Sequence, residues 1–529
     1  MAKQEFDVLI VGSGLSGGIA AQVLTQKGIS CLMLDAGPEV NLATNRTTKN
    51  PWELPYRGLN KPGRLPHVVQ ANEFNANQWV DEKEVPYTHD PASPYNWVRV
   101  RFVGGRSLFW GRQSFRMSDW EFKSADKEGV GENWPVSHAD LDPFYSRVEG
   151  IFRVSGRKEG KPHFPDGNFL DADYGPDSAT VKKITEVAQA RGILVSKIRA
   201  SNGRNGQASS VNLLLPDAVA TGKLQIVPNA IVREITVDKK TGLANGANFV
   251  DRHSRQELHV KARVVVMAAG SLESTRIMLN SGTPGAGLAN SSGLLGRYVM
   301  DQFYGVQVVA SVPEARGGKA AEGMMGGTAL LPRFQNLKKG ENRKFSKGYG
   351  MLIASGGAAL PGFFTEYGEA LQQKLDLHSG ACMTASIYGE RLARYENHVR
   401  INKDVKDAWG IPVLHAEVKD SPNEYNMAKD AADTAEDMLK AAGWDILSKT
   451  DKFHPPGYSI HEVGSCRMGD DPKKSVLNKW NQSHDVKNLF VVDGGCFVSC
   501  GWQNSSLTIM ALAMRASEYL AEQMRVGAV

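Results

Sequence analysis

The hydrophobic pattern opens with two apolar runs on either side of a helical stretch. Val8-Leu9-Ile10-Val11 has no polar position, as a strand buried on both faces requires. Ile19-Ala20-Ala21-Gln22-Val23-Leu24 follows with helical spacing, and Cys31-Leu32-Met33-Leu34 is again continuously apolar. Residues 224–227 and 231–237 read as strands, and residues 258–260 as another. Residues 263–267 read as a separate strand that ends in Ala268-Ala269-Gly270 before a helix over 271–279. A strand over 489–492 ends at Asp493-Gly494-Gly495, and a helix over about 506–524 closes the chain. The stretch from 300 to 453 differs in character, with strands over 381–388, 398–402 and 412–418 and a helix over 423–442. Both ends of the sequence therefore build one doubly wound α/β domain, interrupted by an inserted α+β domain. The first takes residues 1–45, 96–125, 200–299 and 454–529, and the insertion takes 126–199 and 300–453. Residues 38–94 are rich in Pro, Asn, Trp and Tyr. They predict long loops (46–95 as a lid) over a cavity mouth.

The link between the first two runs is the most specific local signal. Gly12-Ser13-Gly14-Leu15-Ser16-Gly17 lies between strand and helix, and Asp35 ends the second strand. This is the Rossmann-like dinucleotide fingerprint in its required context. Gly12 permits the tight turn, Gly14 admits the pyrophosphate, and Gly17 lets helix and strand pack closely. The helix N-terminus then faces the phosphates, and the acid is placed for a ribose hydroxyl.

Composition narrows the class. With 529 residues the chain is long enough for more than one domain. A formal charge of +5 is small at this length, and no Lys/Arg cluster carries interleaved aromatics, so no nucleic-acid partner is expected. No apolar run reaches the roughly 18 residues that span a membrane. Residues 1–6 lack the pattern of a secretory signal, so the expectation is a cytoplasmic protein, with periplasmic co-export beside a signal-bearing partner as the alternative. The cysteines are Cys31, Cys382, Cys466, Cys496 and Cys500, an odd and sparse set that argues against a disulfide framework. The C-x-x-x-C spacing of the last pair is a poor metal signature, and no metal site is expected.

Three later segments carry candidate chemistry. Gly104-Gly105-Arg106-Ser107-Leu108-Phe109-Trp110-Gly111 is a second glycine-rich loop, which alone is as readily any tight turn. Ile460-His461-Glu462-Val463-Gly464-Ser465-Cys466-Arg467-Met468-Gly469 and Asn504-Ser505-Ser506-Leu507-Thr508 are more specific. A single histidine is usually a satisfied core residue, and an asparagine beside a helix start is usually a cap. In this order, however, the segments resemble the glucose–methanol–choline (GMC) family of FAD-dependent alcohol oxidoreductases. The resemblance covers nearly the whole chain and is strongest at residues 8–37, 103–117, 264–282 and 458–520.

The resemblance implies an extended FAD along the first βαβ unit. Gly12, Gly14, Leu15, Ser16, Gly17, Asp35 and Ala36 would hold its ADP part, and Val232 would lie by the adenine. Gly104, Gly105, Arg106 and Ser107 would pass the flavin. Asp493 would contact the linker, with Ala269, Gly270 and Gly494 among the further contacts. The helix after Asn504 and Ser505 would aim its N-terminus at the isoalloxazine, where reduced flavin carries negative charge. The implied catalytic pair is His461 and Asn504, similar to the His–Asn arrangement of pyranose oxidases and related bacterial sugar enzymes. A neutral imidazole takes the hydroxyl proton, and the amide orients the C–H for hydride transfer to flavin N5.

Residues 94–107, 110–114 and 409–413 are similar to the bacterial branch of glycoside 3-oxidases and 3-dehydrogenases. That likeness implies a sugar or glycoside substrate oxidised at the pyranoside C3 hydroxyl to a 3-keto sugar. Three departures matter. Phe109 stands where pyranose oxidases carry the histidine that bonds FAD, so FAD is expected to be non-covalent. Asp35 replaces the more usual Glu. No Cys lies between Arg199 and Gly222, where some sugar dehydrogenases of the family hold an iron–sulfur centre. The electron acceptor therefore stays open among oxygen, a quinone and a redox protein. The competing readings are a GMC enzyme of a non-sugar alcohol, sugar C2 oxidation, a nicotinamide-dependent dehydrogenase, and a flavin-bearing binding protein without turnover.

Overall fold

A computed structural model describes residues 6–40, 53, 56, 65, 68, 71, 75–170, 174, 177–204, 206–283, 286–315, 327–338, 341, 343–355, 366–378 and 382–529. Phe6–Val11 forms the central strand of a parallel sheet. It lies between Cys31–Leu34 and Glu257–Met267, with Val8 opposite both Cys31 and Val264. Leu224–Val227 extends the sheet beyond Cys31–Leu34, and Leu489–Val491 extends it beyond Glu257–Met267. Parallel strands need cover on both faces. Helices Leu15–Gln26 and Ser506–Arg525 pack against each other, and their buried residues share one core with these strands.

Glu257–Met267 is one strand of 11 residues, where the sequence reading expected two. Its first half pairs antiparallel with Ala244–Asp251, and its second half pairs parallel with Phe6–Val11. The first half is largely exposed and the second buried. The hydrophobic pattern breaks at Lys261 because the environment changes there, while the backbone continues unbroken.

Two further sheets are antiparallel apart from one short parallel edge strand. One orders Val463–Ser465, Arg297–Met300, His398–Lys406 and Pro412–Glu417, and the two-residue strand Thr88–His89 joins its edge. The other orders Thr328–Leu331, Tyr349–Ser355, Cys382–Glu390, Gln302–Ser311 and Asp445–Thr450. Helix Pro422–Ala441 packs on it through Met427, Ala428, Ala431, Ala432, Ala435, Met438 and Leu439, a helical stripe whose alanines allow close approach. Ser421 caps that helix, its backbone N–H donating to Glu424 at 2.7 Å. Of the expected lid, residues 41–52, 54–55, 57–64, 66–67, 69–70 and 72–74 lie outside the described residues.

One junction positions the site. Met300 pairs antiparallel with Val463, and two residues later the chain enters the other sheet at Gln302. Continuing that register two residues past Met300 sets Gln302 opposite His461.

Candidate active site

A single elongated cavity of about 820 Å³ runs from the first fingerprint to the His461 and Asn504 pair. Gly12, Gly14, Leu15, Ser16, Asp35, Ala36, Gly105, Arg106, Ser107, Val232, Ala269, Gly270, Asp493, Gly494, Asn504 and Ser505 line it. Of the residues that the sequence analysis places at the cofactor, Gly17 and Gly104 stand behind the wall. A Cβ on Gly17 would meet the Gly12 carbonyl oxygen at 2.0 Å, so this glycine serves helix–strand packing. Gly104 donates its N–H to Ser13 Oγ at 2.8 Å and ties the second glycine-rich loop to the first.

Gly12 has φ +101°, and a Cβ there would strike the Ala268 carbonyl oxygen at 2.5 Å. At Gly14 a Cβ would meet nothing within 4 Å, because this backbone borders the cavity. No side chain caps the helix that starts after Gly14 or the one that starts after Ser505. Both helix N-termini lie on the cavity wall, where their orphan N–H groups favour negative charge.

Two carboxylates brace this end of the cavity. Asp35 Oδ2 accepts from Ser13 N at 3.1 Å and from Ser13 Oγ, and Oδ1 accepts from Gly37 N at 2.9 Å. Asp35 thus clamps the fingerprint turn, and burial raises its carboxyl pKa above the ordinary value. Asp493 accepts from Gly270 N at 3.0 Å, Ser274 Oγ at 2.5 Å and Gly495 N at 2.9 Å, and burial raises it also.

At the other end, Asn504 Nδ2 stands 3.3 Å from His461 Nε2. His461 Nδ1 lies 2.9 Å from Gln302 Oε1, and its backbone N–H donates to Asp301 Oδ1 at 3.1 Å. Asp301 also accepts from Gly457 N at 2.8 Å and from Ser459 Oγ. This carboxylate holds a loop in which Ile460 sits at φ +64°, a costly conformation for a β-branched residue. Burial pushes the imidazole pKa down to about 4, with Glu462 opposing and Arg106 assisting. The ring is therefore neutral at neutral pH, as a proton acceptor must be. Arg106 donates to Glu462 at 2.5 Å and to the Ile460 carbonyl at 3.3 Å.

Tyr304, Tyr388 and Tyr458 form an aromatic wall of the same cavity. Tyr304 stacks on Tyr388 at 5.3 Å and lies nearly parallel to Tyr458 at 6.2 Å. Trp79, Trp97, Phe109 and Trp110 line other parts of it, and Trp79 packs on Phe109 with ring centres 4.5 Å apart and planes tilted by 35°.

The chain matches the N-terminal GMC oxidoreductase family model over residues 6–300 and the C-terminal one over residues 393–513. The chain belongs to the GMC oxidoreductase family. It is an oxidoreductase acting on alcohol groups, and the family implies a flavin cofactor. This GMC oxidoreductase is 28% identical to 2-methyl-1,2-propanediol dehydrogenase of Mycolicibacterium austroafricanum, over 99% of the chain and 96% of the relative. It is 28% identical to the fructose dehydrogenase large subunit of Gluconobacter japonicus, over 98% of each. It is 22% identical to a C-glycoside 3-oxidase of Arthrobacter globiformis, over 98% of the chain and 95% of the relative. Its fold is similar to that of pyridoxine 4-oxidase from Mesorbium loti, with a TM-score of 0.64 and 17% identity over 98% of this chain and 99% of that one.

The residues present fit FAD. The opening over Gly14 and the two uncapped helix N-termini suit a diphosphate and an anionic ring. Buried donors of Arg99 (Nε and Nη1) and of Arg101 (Nη1), whose charge acts on Asp35, have no partner among the described protein atoms, and both residues line the cavity. An anionic, acceptor-rich ligand would satisfy them. The sequence analysis did not single out Asp301, Gln302, Arg99, Arg101 or the three tyrosines for roles. Arg99, Arg101 and Tyr458 lie in segments that carry the resemblance but were given no role, and the sheet register and the cavity bring all of these residues to the site.

Proposed function

We propose that the enzyme oxidises a secondary ring hydroxyl of a sugar or glycoside, the C3 hydroxyl of a pyranoside, to the ketone. The observation that carries this reading is the wall of Tyr304, Tyr388 and Tyr458 beside the His461 and Asn504 pair. Tyrosines offer flat faces to sugar C–H groups and hydroxyls to sugar oxygens, where an aliphatic tunnel would offer neither. The likeness to the C-glycoside 3-oxidase and to the fructose dehydrogenase supports the same substrate class.

In this reading His461 Nε2 takes the hydroxyl proton. Asn504 Nδ2 donates to the same oxygen, which fixes the rotation of the reacting carbon. Bound FAD supplies the hydride acceptor. Gly14, Asp35, Arg101, Val232 and Asp493 would hold it, without a covalent bond because Phe109 offers no nucleophile. The parallel-sheet part would carry the cofactor, the inserted sheets the substrate, and the lid segment around Trp79 the mouth. The acceptor would be oxygen, a quinone or a redox protein.

A second reading is a small aliphatic diol, favoured by the 28% identity to the propanediol dehydrogenase. Anaerobic bleaching of the holoenzyme flavin separates the two. A methyl glucoside should bleach it faster than 2-methyl-1,2-propanediol, and carbon NMR should show a C3 carbonyl. Bleaching by the diol alone refutes the sugar reading, and a carbonyl at C2 refutes the position.

A further inference from the structure

We infer that Gln302 is the positioning residue that decides which nitrogen of His461 is the base. This rests on His461 being the proton acceptor of the proposed reaction.

The hydrogen-bond pattern leaves one orientation for the Gln302 amide. Its Nε2 donates to the carbonyls of Gly501 and Gln503, at 2.8 Å each. Those oxygens can only accept, so the amide nitrogen must face them and Oε1 must face His461. Oε1 can only accept as well, so His461 Nδ1, 2.9 Å away, carries the proton. Nε2 is then the lone-pair nitrogen. Asn504 Nδ2, at 3.3 Å, is placed as the donor to it in the free enzyme. When an alcohol binds, its O–H takes that place, and the amide of Asn504 is free to donate to the alcohol oxygen. The opposite tautomer would set an Nε2–H against the Asn504 amide hydrogens and leave two acceptors facing each other across Nδ1.

The same side chain ties both catalytic groups together. The two carbonyls it holds belong to the segment that leads into Asn504. Gln302 lies opposite His461 because the Met300 and Val463 pairing continues toward it. Asp301, next in the chain, grips the His461 backbone and the Gly457 N–H. The charged groups around the ring are Glu462 and Arg106 on the cofactor side and Asp301 behind the loop. Asp301 is itself faced by Arg391 at 3.8 Å. Tyr304, Tyr388 and Tyr458 line the same cavity. None of these groups contacts Nδ1 in the described structure, so Gln302 sets the tautomer at Nδ1, and Asn504 favours the same one at Nε2.

The direct test is nitrogen NMR of the oxidised holoenzyme with labelled histidine, with His461→Ala for assignment. The expected result is a protonated Nδ1 and an unprotonated Nε2; the reverse overturns the inference. One variant reads the consequence. Gln302→Met removes the acceptor and should slow anaerobic flavin reduction by a factor of roughly 10², with FAD content unchanged. A wild-type rate in Gln302→Met overturns the inference. Should Gln302→Met fail to hold FAD, the NMR result decides alone. If His461→Ala itself reduces flavin at the wild-type rate, the base assignment fails, and that outcome is distinct from a wrong tautomer.

Discussion

Arg106 and Glu462 meet at 2.5 Å immediately beside His461, joining the second glycine-rich loop to the histidine loop across 356 residues of sequence. Their opposed effects on the imidazole leave burial as the governing influence. Burial of Arg106 would lower its pKa, but Glu462 outweighs it and holds the guanidinium charged.

The pH dependence follows from that balance. An exposed histidine begins to lose its base form below about 6.5, whereas His461 holds its neutral form down to about 4. The rate of flavin reduction by substrate should stay level from neutral pH to about 5. It should then fall tenfold per unit below about 4. Stopped-flow reduction across this range checks it, and a limb centred near 6.5 contradicts the burial argument. The same shift makes the folded state lose stability as pH falls from about 6.5 to about 4, because only the unfolded chain binds the proton there.

His461→Ala should retain FAD and fold while slowing flavin reduction by a factor on the order of 10²–10⁴, the worth of a positioned acid–base group. Rapid-mixing absorbance of the flavin band measures it. A rate near wild type removes His461 from the base role.

Glu462→Gln should destabilise the protein by roughly 1–3 kcal/mol, because it strips the charge partner from Arg106. Glu462 is itself only 1% exposed in its side chain, so the change falls in a packed site. Urea denaturation of the holoenzyme reads the difference. No change in midpoint would mean that the pair is dispensable.

The cofactor should leave on acid precipitation, because Phe109, which packs on Trp79, offers no nucleophile for a covalent bond. Yellow supernatant is the expected outcome. Colour in the pellet would show a covalent bond elsewhere.

Arg101→Met should weaken FAD binding about tenfold to a hundredfold, the usual worth of a hydrogen bond from a charged donor. Arg276 remains on Glu273 at 2.9 Å, so the variant leaves that carboxylate paired. Fluorescence of released FAD during dialysis measures the loss. Equal retention would place the Arg101 donor away from the cofactor.

The strand–turn–helix that opens the chain was legible because its signals are local. A glycine turn, an apolar run and a terminal acid act within about 30 residues, so Gly12, Gly14 and Asp35 announce themselves in one window. The two strands expected at 258–260 and 263–267 proved to be one. An amphipathic half and a buried half look like separate elements when the neighbours are unknown.

The sequence by itself determined the strand–turn–helix that opens the chain and the alcohol-oxidising family, and it pointed to His461 and Asn504, which the structure brings to 3.3 Å of each other. The first follows from residue types at short spacing, and the others from the resemblance that several such segments carry in their order along the chain. Only the tertiary structure decided that Gln302 meets Nδ1 of His461, that Asp301 holds the loop behind it, and that Tyr304, Tyr388 and Tyr458 face the same cavity. Those neighbours lie up to 160 residues apart in sequence, Asp301 to His461 being the widest. The antiparallel registers between Met300 and Val463 and between Tyr304 and Tyr388 bring them together. Such a register is fixed by the packing of whole sheets, and no local pattern of residues encodes it.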